Sequence, residues 1–212
     1  MNLYSSFIRS NNLFNHPPIP YEDFDTAFNY DEIVGIDVDQ ESRNAGISRY
    51  LSFSTTSTSD LSKLIKEGDE VINCAAVSNP RECAVQPDVC RSVNELLAKR
   101  ILQDSLIGSA SRIVHFSSFH ALVSSGHPYG KTKLKVEQFI ETNPWYKSKV
   151  VCLRLGSVVT EKKPAHNRIR KVVLDALSRN LFNLEAPYRV RSYLGGDCFA
   201  EVYWAIHNSS RT

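Results

Sequence analysis

Four short apolar runs, at residues 33–37, 70–75, 112–117 and 149–155, constrain this chain more than any other feature. Each is rich in Val or Ile and is bounded by polar residues, the pattern of a buried strand. Helical patterns lie between them. Residues 61–65 follow a Ser/Thr-rich stretch that supplies an N-cap. Val93, Leu96, Leu97 and Ile101 line one helical face, and Val136, Phe139 and Ile140 line another. Strands alternating with helices predict an α/β fold, a doubly wound parallel sheet with right-handed crossovers. Residues 47–53 and 189–194 are further candidate strands. Ile169, Val172, Val173, Ala176 and Leu177 form a 3.6-residue stripe that predicts a helix. Gly195 and Gly196 break the last strand, and Asp197 can cap a final helix with Phe199, Val202, Tyr203 and Ile206 facing inward.

Residues 1–30 depart from this pattern. They are Asn-rich, carry Pro17, Pro18 and Pro20, and contain no glycine. They predict an irregular arm, leaving residues 31–212 as a single domain. A chain of 212 residues can bury one substantial core. Its formal charge of +2, without a basic block, gives no reason to expect nucleic acid or an anionic membrane as partner. No apolar run reaches about 18 residues and no signal-peptide core opens the chain, so the expected location is cytoplasmic. Cys74, Cys83, Cys90, Cys152 and Cys198 show neither a CxxC pair nor zinc-ligand spacing. They predict buried free thiols and no metal.

The chemistry concentrates in residues 112–137. The strand there ends in Ser117 and Ser118, a loop with Gly126 and Pro128 follows, and then Tyr129-Gly130-Lys131-Thr132-Lys133. On a helix Tyr129 and Lys133 share a face. An adjacent ammonium favours the phenolate, which predicts a Tyr129 pKa below the usual value of about 10. With a hydroxyl from the strand end, this is a plausible proton-transfer set.

Three pieces, HFSS, PYGKTKLKVE and VVCLRLGSVV, resemble the short-chain dehydrogenase/reductase superfamily. The closest resemblance is to its extended branch of nucleotide-sugar epimerases, dehydratases and reductases. It implies a Rossmann-like sheet with a small C-terminal cap and Ser/Tyr/Lys chemistry on a small molecule such as a nucleotide sugar. Tyr129 would be the general acid/base. Lys133 would lower its pKa and hold the nicotinamide ribose. Ser118 would hydrogen-bond the reacting oxygen, with Ser117 as fallback. Asp37, ending the second strand, would take the adenosine ribose and favour NAD over NADP, with Asp39 in reserve. Ala75 and Ala76 would let the cofactor approach the backbone, and Asn94 matches a family asparagine beside it. The helix carrying Tyr129 and Lys133 is a common pairing surface in that family, which implies a homodimer.

One piece is missing. The family opens with a strand and a Gly-x-x-Gly-x-x-Gly turn that aims backbone N–H groups at the pyrophosphate. The first glycine here is Gly35. The N-terminal strand and turn are therefore absent or replaced, and NAD binding is expected to be weakened. Eleven positions separate Ser118 from Tyr129, and only a short tail follows Gly156. Two readings stay open: an active NAD(P)-dependent enzyme, or a catalytically degenerate member serving as a binding or regulatory subunit. Among the remaining candidates, His115 reads as a packed or surface histidine. His120 and His127 flank the loop and could touch substrate. Cys74 has no paired base. Arg154 could meet a substrate phosphate or pair with a carboxylate.

Overall fold

The computed structural model describes residues 5–9, 32–37, 49–52, 61–123, 126–159, 177–178 and 193–208. The expected helix around Ile169 to Ala176, and Asp39, lie outside the described residues. Contacts divide the chain into two compact units, Met1–Arg154 and Leu155–Thr212, where the sequence predicts one domain over 31–212. The split falls at the end of a strand, beyond which residues pair among themselves.

The first unit carries β1 (Ser5–Arg9), β2 (Glu32–Asp37), β3 (Arg49–Ser52), β4 (Glu70–Asn73), β5 (Arg112–Ser118) and β6 (Val150–Leu155), in the sheet order β3-β2-β1-β4-β5-β6. β2 pairs with β3 in parallel, and so does β4 with β5, which is the doubly wound arrangement the alternation predicts. Successive residues of a strand face opposite sides of a sheet. Val71 and Ile72 are both buried, as are Ile113 and Val114, so both faces of the central strands are covered. The main core joins Val34, Ile36, Val71 and Ile113 to Leu61, Ile65, Ala98, Ile101, Leu102, Val136 and Ile140 from the helices. Burying each large aliphatic side chain is worth about 1.5–3 kcal/mol, so this contact set dominates the unit's stability.

β1 overturns an expectation. Residues 5–9 fall in the stretch expected to be irregular, yet they occupy the middle of the sheet. β1 runs antiparallel to β2 from Ser5↔Ile36 to Arg9↔Glu32, and antiparallel to β4 from Ser6↔Ile72 to Ile8↔Glu70. The physical reason is the gap. Without a strand between β2 and β4, each would present a row of unpaired N–H and C=O groups in the core. SSFIR closes both ladders with its backbone, a demand its own sequence pattern does not announce.

The helices of this unit are α1 (Leu61–Leu64), α2 (Pro80–Val85), α3 (Pro87–Arg91), α4 (Ala98–Ile107), α5 (His120–Val123), α6 (Pro128–Glu141) and α7 (Pro144–Lys149). α2, α6 and α7 start alike. Asn79, His127 and Asn143 cap them, each accepting from the backbone N–H two residues on, and a proline follows at the first helical position. Proline has no N–H to leave unsatisfied there. Before α4, Ser92–Leu97 is a π-helical turn that buries Val93, Asn94 and Glu95. With more residues per turn it rotates the face, so Leu96, expected inside, is half exposed.

The second unit pairs β7 (Ser157–Val159) with β8 (Tyr193–Gly195) in parallel and ends in α8 (Gly196–Asn208). In α8 Tyr203 is buried, while Val202, expected inside, is exposed.

The cysteines also differ from expectation. Cys83 and Cys90 form a disulfide with Cα atoms 5.0 Å apart, and Cys74, Cys152 and Cys198 are free. α2 and α3 meet at Gln86, and that turn folds two helices of about five residues back to back. A separation of seven residues carries no such signal in the sequence.

Candidate active site

β2, β4 and β5 all run the same way, so Asp37, Asn73 and Ser118 end at one edge of the sheet. Ligands of open α/β folds bind at that edge. Ser118 closes β5, and Tyr129 enters on the first turn of α6. The structure brings them together: the Ser118 hydroxyl lies near enough to the Tyr129 phenol to favour its ionised form, and His120 contacts both side chains. Burial pushes the phenol's pKa up from 10, and the nearby Ser118 hydroxyl opposes that shift without cancelling it. The lowered tyrosine pKa expected from the sequence is thus corrected. The Lys133 ammonium points at the Phe116 carbonyl, to which Nζ donates at 2.8 Å, and desolvation wins at the phenol.

Lys133 lies one turn along the same face and is buried. Burial pulls its pKa down from 10.5 to about 8, against the opposing pull of Cys152, Cys74 and the Glu137 carboxylate. At neutral pH the ammonium persists. It holds one described acceptor and has further protons to donate.

Ser117 and Ser118 face opposite sides of the strand, and Ser118 is the one on the phenol's side. The Ser117 hydroxyl donates to the Glu137 carboxylate, which Arg154 also grips with Nε at 3.0 Å from each oxygen and Nη2 at 2.6 Å from Oε2. Ser117 is thereby removed as a fallback, and Arg154 takes the carboxylate-pairing alternative. Sequence reasoning missed Glu137, although its spacing of four from Lys133 and eight from Tyr129 places all three on one helical stripe.

His120 proves nearer the chemistry than its loop position implies. Its Nδ1 lies 3.3 Å from Ser118 Oγ, and its ring meets the Tyr129 ring edge-on at 5.4 Å. His127 instead caps α6, accepting from the Tyr129 N–H at 3.2 Å. His115 is fully buried beneath the edge and shares a 3.1 Å hydrogen bond between its Nδ1 and the Asn73 amide. Burial, helped by the Lys133 charge, lowers its pKa to about 3, so the ring is neutral. Cys74 is no nucleophile, because burial pushes its thiol up to about 12.

Ala75 and Ala76 follow β4 at the site edge. Asn73 Oδ1 accepts from the Ala75 N–H at 3.1 Å. Asn94 is fully buried and clamps the next residue, accepting from Val77 N–H at 2.7 Å and donating to the Val77 carbonyl at 3.1 Å. Its Nδ2 also reaches the Cys83 and Cys90 sulfurs, so the amide shapes the small-residue turn. Asp37 ends β2 at the expected edge, and its side chain lies outside the described residues.

A dinucleotide fits half of this edge. Ser118, Tyr129, Lys133 and the 75–76 turn suit a nicotinamide ribose. The phosphate half does not fit. In dinucleotide-binding sheets a turn follows the central strand at the switch point and leads into a helix whose N-terminus meets the pyrophosphate. Here the central strand is reversed, so the chain after Arg9 leaves at the opposite edge, beside Glu32 and Glu70.

Among the described residues no helix is long and apolar enough to cross a membrane, and no His/Cys/Asp/Glu group could hold a metal ion. The model of the NAD dependent epimerase/dehydratase family matches residues 26–197. No curated protein matches the chain. Among solved structures, it is similar to the UDP-glucose 4-epimerase of Thermotoga maritima, solved with UDP-glucose (TM-score 0.66, 16% identity, 81% of this chain and 62% of that one). MoeE5, solved with UDP-glucuronic acid and NAD, gives a TM-score of 0.68 at 17% identity over 84% of this chain and 64% of that one. The UDP-N-acetylglucosamine 4-epimerase of Methanobrevibacter ruminantium M1, in complex with UDP-N-acetylmuramic acid, gives 0.66 at 16% over 84% and 65%. At such identities the likeness is one of fold. The chain spans less than two thirds of each of these proteins.

Proposed function

The chain belongs to the NAD dependent epimerase/dehydratase family, and from that premise we propose that it is an enzyme acting at a hydroxyl or carbonyl carbon of a nucleotide-activated sugar. NAD is the cofactor of this family, and hydride chemistry is the cofactor's own contribution when bound. The observation that carries the proposal is the convergence of the Ser118 and Tyr129 side chains on His120, with Lys133 one helical turn further along. Tyr129 rests as a phenol at neutral pH and is the proton donor to a substrate oxygen. Ser118 shares that oxygen and steadies the phenolate left behind. Lys133 supplies a positive charge beneath the site and, through its remaining protons, a grip on a ribose hydroxyl. His120, against both Ser118 and Tyr129, orients the pair.

The test is turnover of a panel of UDP- and TDP-sugars with saturating NAD. Tyr129→Phe, which deletes only the phenolic oxygen, should lower turnover by about 10²-fold or more, the usual worth of general acid–base catalysis. Retention of more than about a tenth of wild-type turnover removes Tyr129 from the mechanism.

The reversed β1 favours a second reading, a catalytically degenerate member that acts as a binding or regulatory subunit. Absence of wild-type turnover across the panel supports it over the first.

A further inference from the structure

We infer that the nucleotide site of this chain is a half-site, which binds the nicotinamide mononucleotide portion of the dinucleotide and gains no affinity from the pyrophosphate and adenylate. The inference rests on the proposed placement of the nicotinamide ribose at Lys133 and Tyr129.

The reasoning begins with β1. In a sheet of this order, the pyrophosphate lies where the strand order reverses, between the central strand and its β4-side neighbour. Two features normally meet it there: closely approaching backbone N–H groups of the turn after the central strand, and the N-terminus of the following helix. Both require the central strand to run parallel to its neighbours. In this chain Ser5 and Ser6 stand opposite Ile36 and Ile72, near the C-terminal ends of β2 and β4, while Arg9 stands opposite Glu32 at the other edge. β1 also hydrogen-bonds to β2 on one side and β4 on the other, so the slot is full. While β1 stays, no other strand can occupy that slot.

The nicotinamide end is built independently of β1. Its elements are β5, α6 and the turn after β4. That turn is held by Asn73 on Ala75 and by Asn94 on Val77. Lys133 is fixed by the Phe116 carbonyl of β5. Loss of the phosphate turn therefore leaves this half standing.

The expected consequence is a change in ligand preference. Each charge-assisted hydrogen bond to a phosphate is worth roughly ten- to a hundredfold in affinity. A site with the turn gains several, and binds NAD far more tightly than nicotinamide mononucleotide. Here the two dissociation constants should agree within about tenfold, and ADP, which carries the adenylate and pyrophosphate without the nicotinamide ribose, should not compete.

Calorimetric titration of the full chain with nicotinamide mononucleotide, NAD and ADP tests this. Lys133→Met keeps the buried volume and removes the ribose contact, and should weaken both nicotinamide ligands about tenfold or more. Ala76→Leu, which fills the small-residue turn, should do the same if the lysine variant fails to fold. The inference is overturned by NAD binding more than tenfold tighter than the mononucleotide, by competition from ADP, by no binding of the mononucleotide at millimolar concentration, or by a folded variant at either position that binds as wild type. Binding is read without turnover. Equal binding with no sugar turned over removes the proposed activity and leaves the half-site, and turnover with a strong NAD preference does the reverse.

Discussion

Replacing Glu137 with alanine should destabilise the first unit by about 2–4 kcal/mol. The Glu137 side chain is 4% exposed and its carboxylate receives Arg154 through three contacts and Ser117 through one. Breaking a buried ion pair commonly costs about 3–5 kcal/mol, because the abandoned charge stays in a poor solvent. Arg154 softens that cost, since its own side chain is 39% exposed and water can solvate the guanidinium. Ser117, buried at 4%, has no such relief and leaves an unsatisfied hydroxyl worth about 1–3 kcal/mol. Glu137→Gln keeps the shape and one acceptor oxygen, so its loss should be smaller, about 1–2 kcal/mol. Urea unfolding followed by far-ultraviolet circular dichroism measures these values. A double-mutant cycle with Arg154→Met isolates the pair, with a coupling of about 1–2 kcal/mol expected. Losing Glu137 also removes a group that holds the Lys133 pKa up, so Lys133 should deprotonate at lower pH in the glutamine variant. A loss below about 0.5 kcal/mol for Glu137→Ala, or effects that add within about 0.3 kcal/mol, would show that the network contributes nothing to the fold.

His115 makes stability depend on pH. Its pKa falls from 6.5 in the unfolded chain to about 3 in the fold, so between those values the unfolded state binds the extra proton. Stability then rises with pH through this window and is lost as pH falls, by up to roughly 1 kcal/mol per pH unit; His115→Asn should flatten the slope in melts from pH 4 to 7. Gly108→Ala should cost about 1–3 kcal/mol in the same unfolding assay. Its Cβ would lie 2.6 Å from Ile65 Cβ and 2.9 Å from the Ser62 carbonyl, and that carbonyl belongs to backbone. Alkylation of the denatured, unreduced chain should label Cys74, Cys152 and Cys198 only, and reductant should expose Cys83 and Cys90. Closing so short a loop contributes about 2–3 kcal/mol, so reduction should lower the urea midpoint, and labelling of all five cysteines without reductant would refute the bond.

The site was legible where its chemistry follows chain spacing. Tyr129 and Lys133 share a helical face because four residues make about one turn, and Ser118 lies near Tyr129 because only the short α5 and a brief loop separate β5 from α6. That Ser118, and not Ser117, lies on the phenol's side needed the strand's pleat and a distant carboxylate at Glu137. Asn94 was noticed by position, but its grip on Val77 depends on two segments seventeen residues apart. The rise in the Tyr129 pKa was not readable either. Sequence shows the neighbouring ammonium, while desolvation depends on everything packed around the ring.

By itself, the sequence determined the alternation of strands and helices, the parallel pairing of β4 with β5 and the edge where the reactive side chains gather. Those follow from local periodicity, which each segment carries in its own residues. Only the tertiary structure decided that SSFIR fills the centre of the sheet, and that it runs backwards. Its five residues have no strong strand pattern. They are recruited because β2 and β4 would otherwise leave backbone hydrogen-bonding groups without partners, and that requirement comes from strands some twenty-five and sixty residues away.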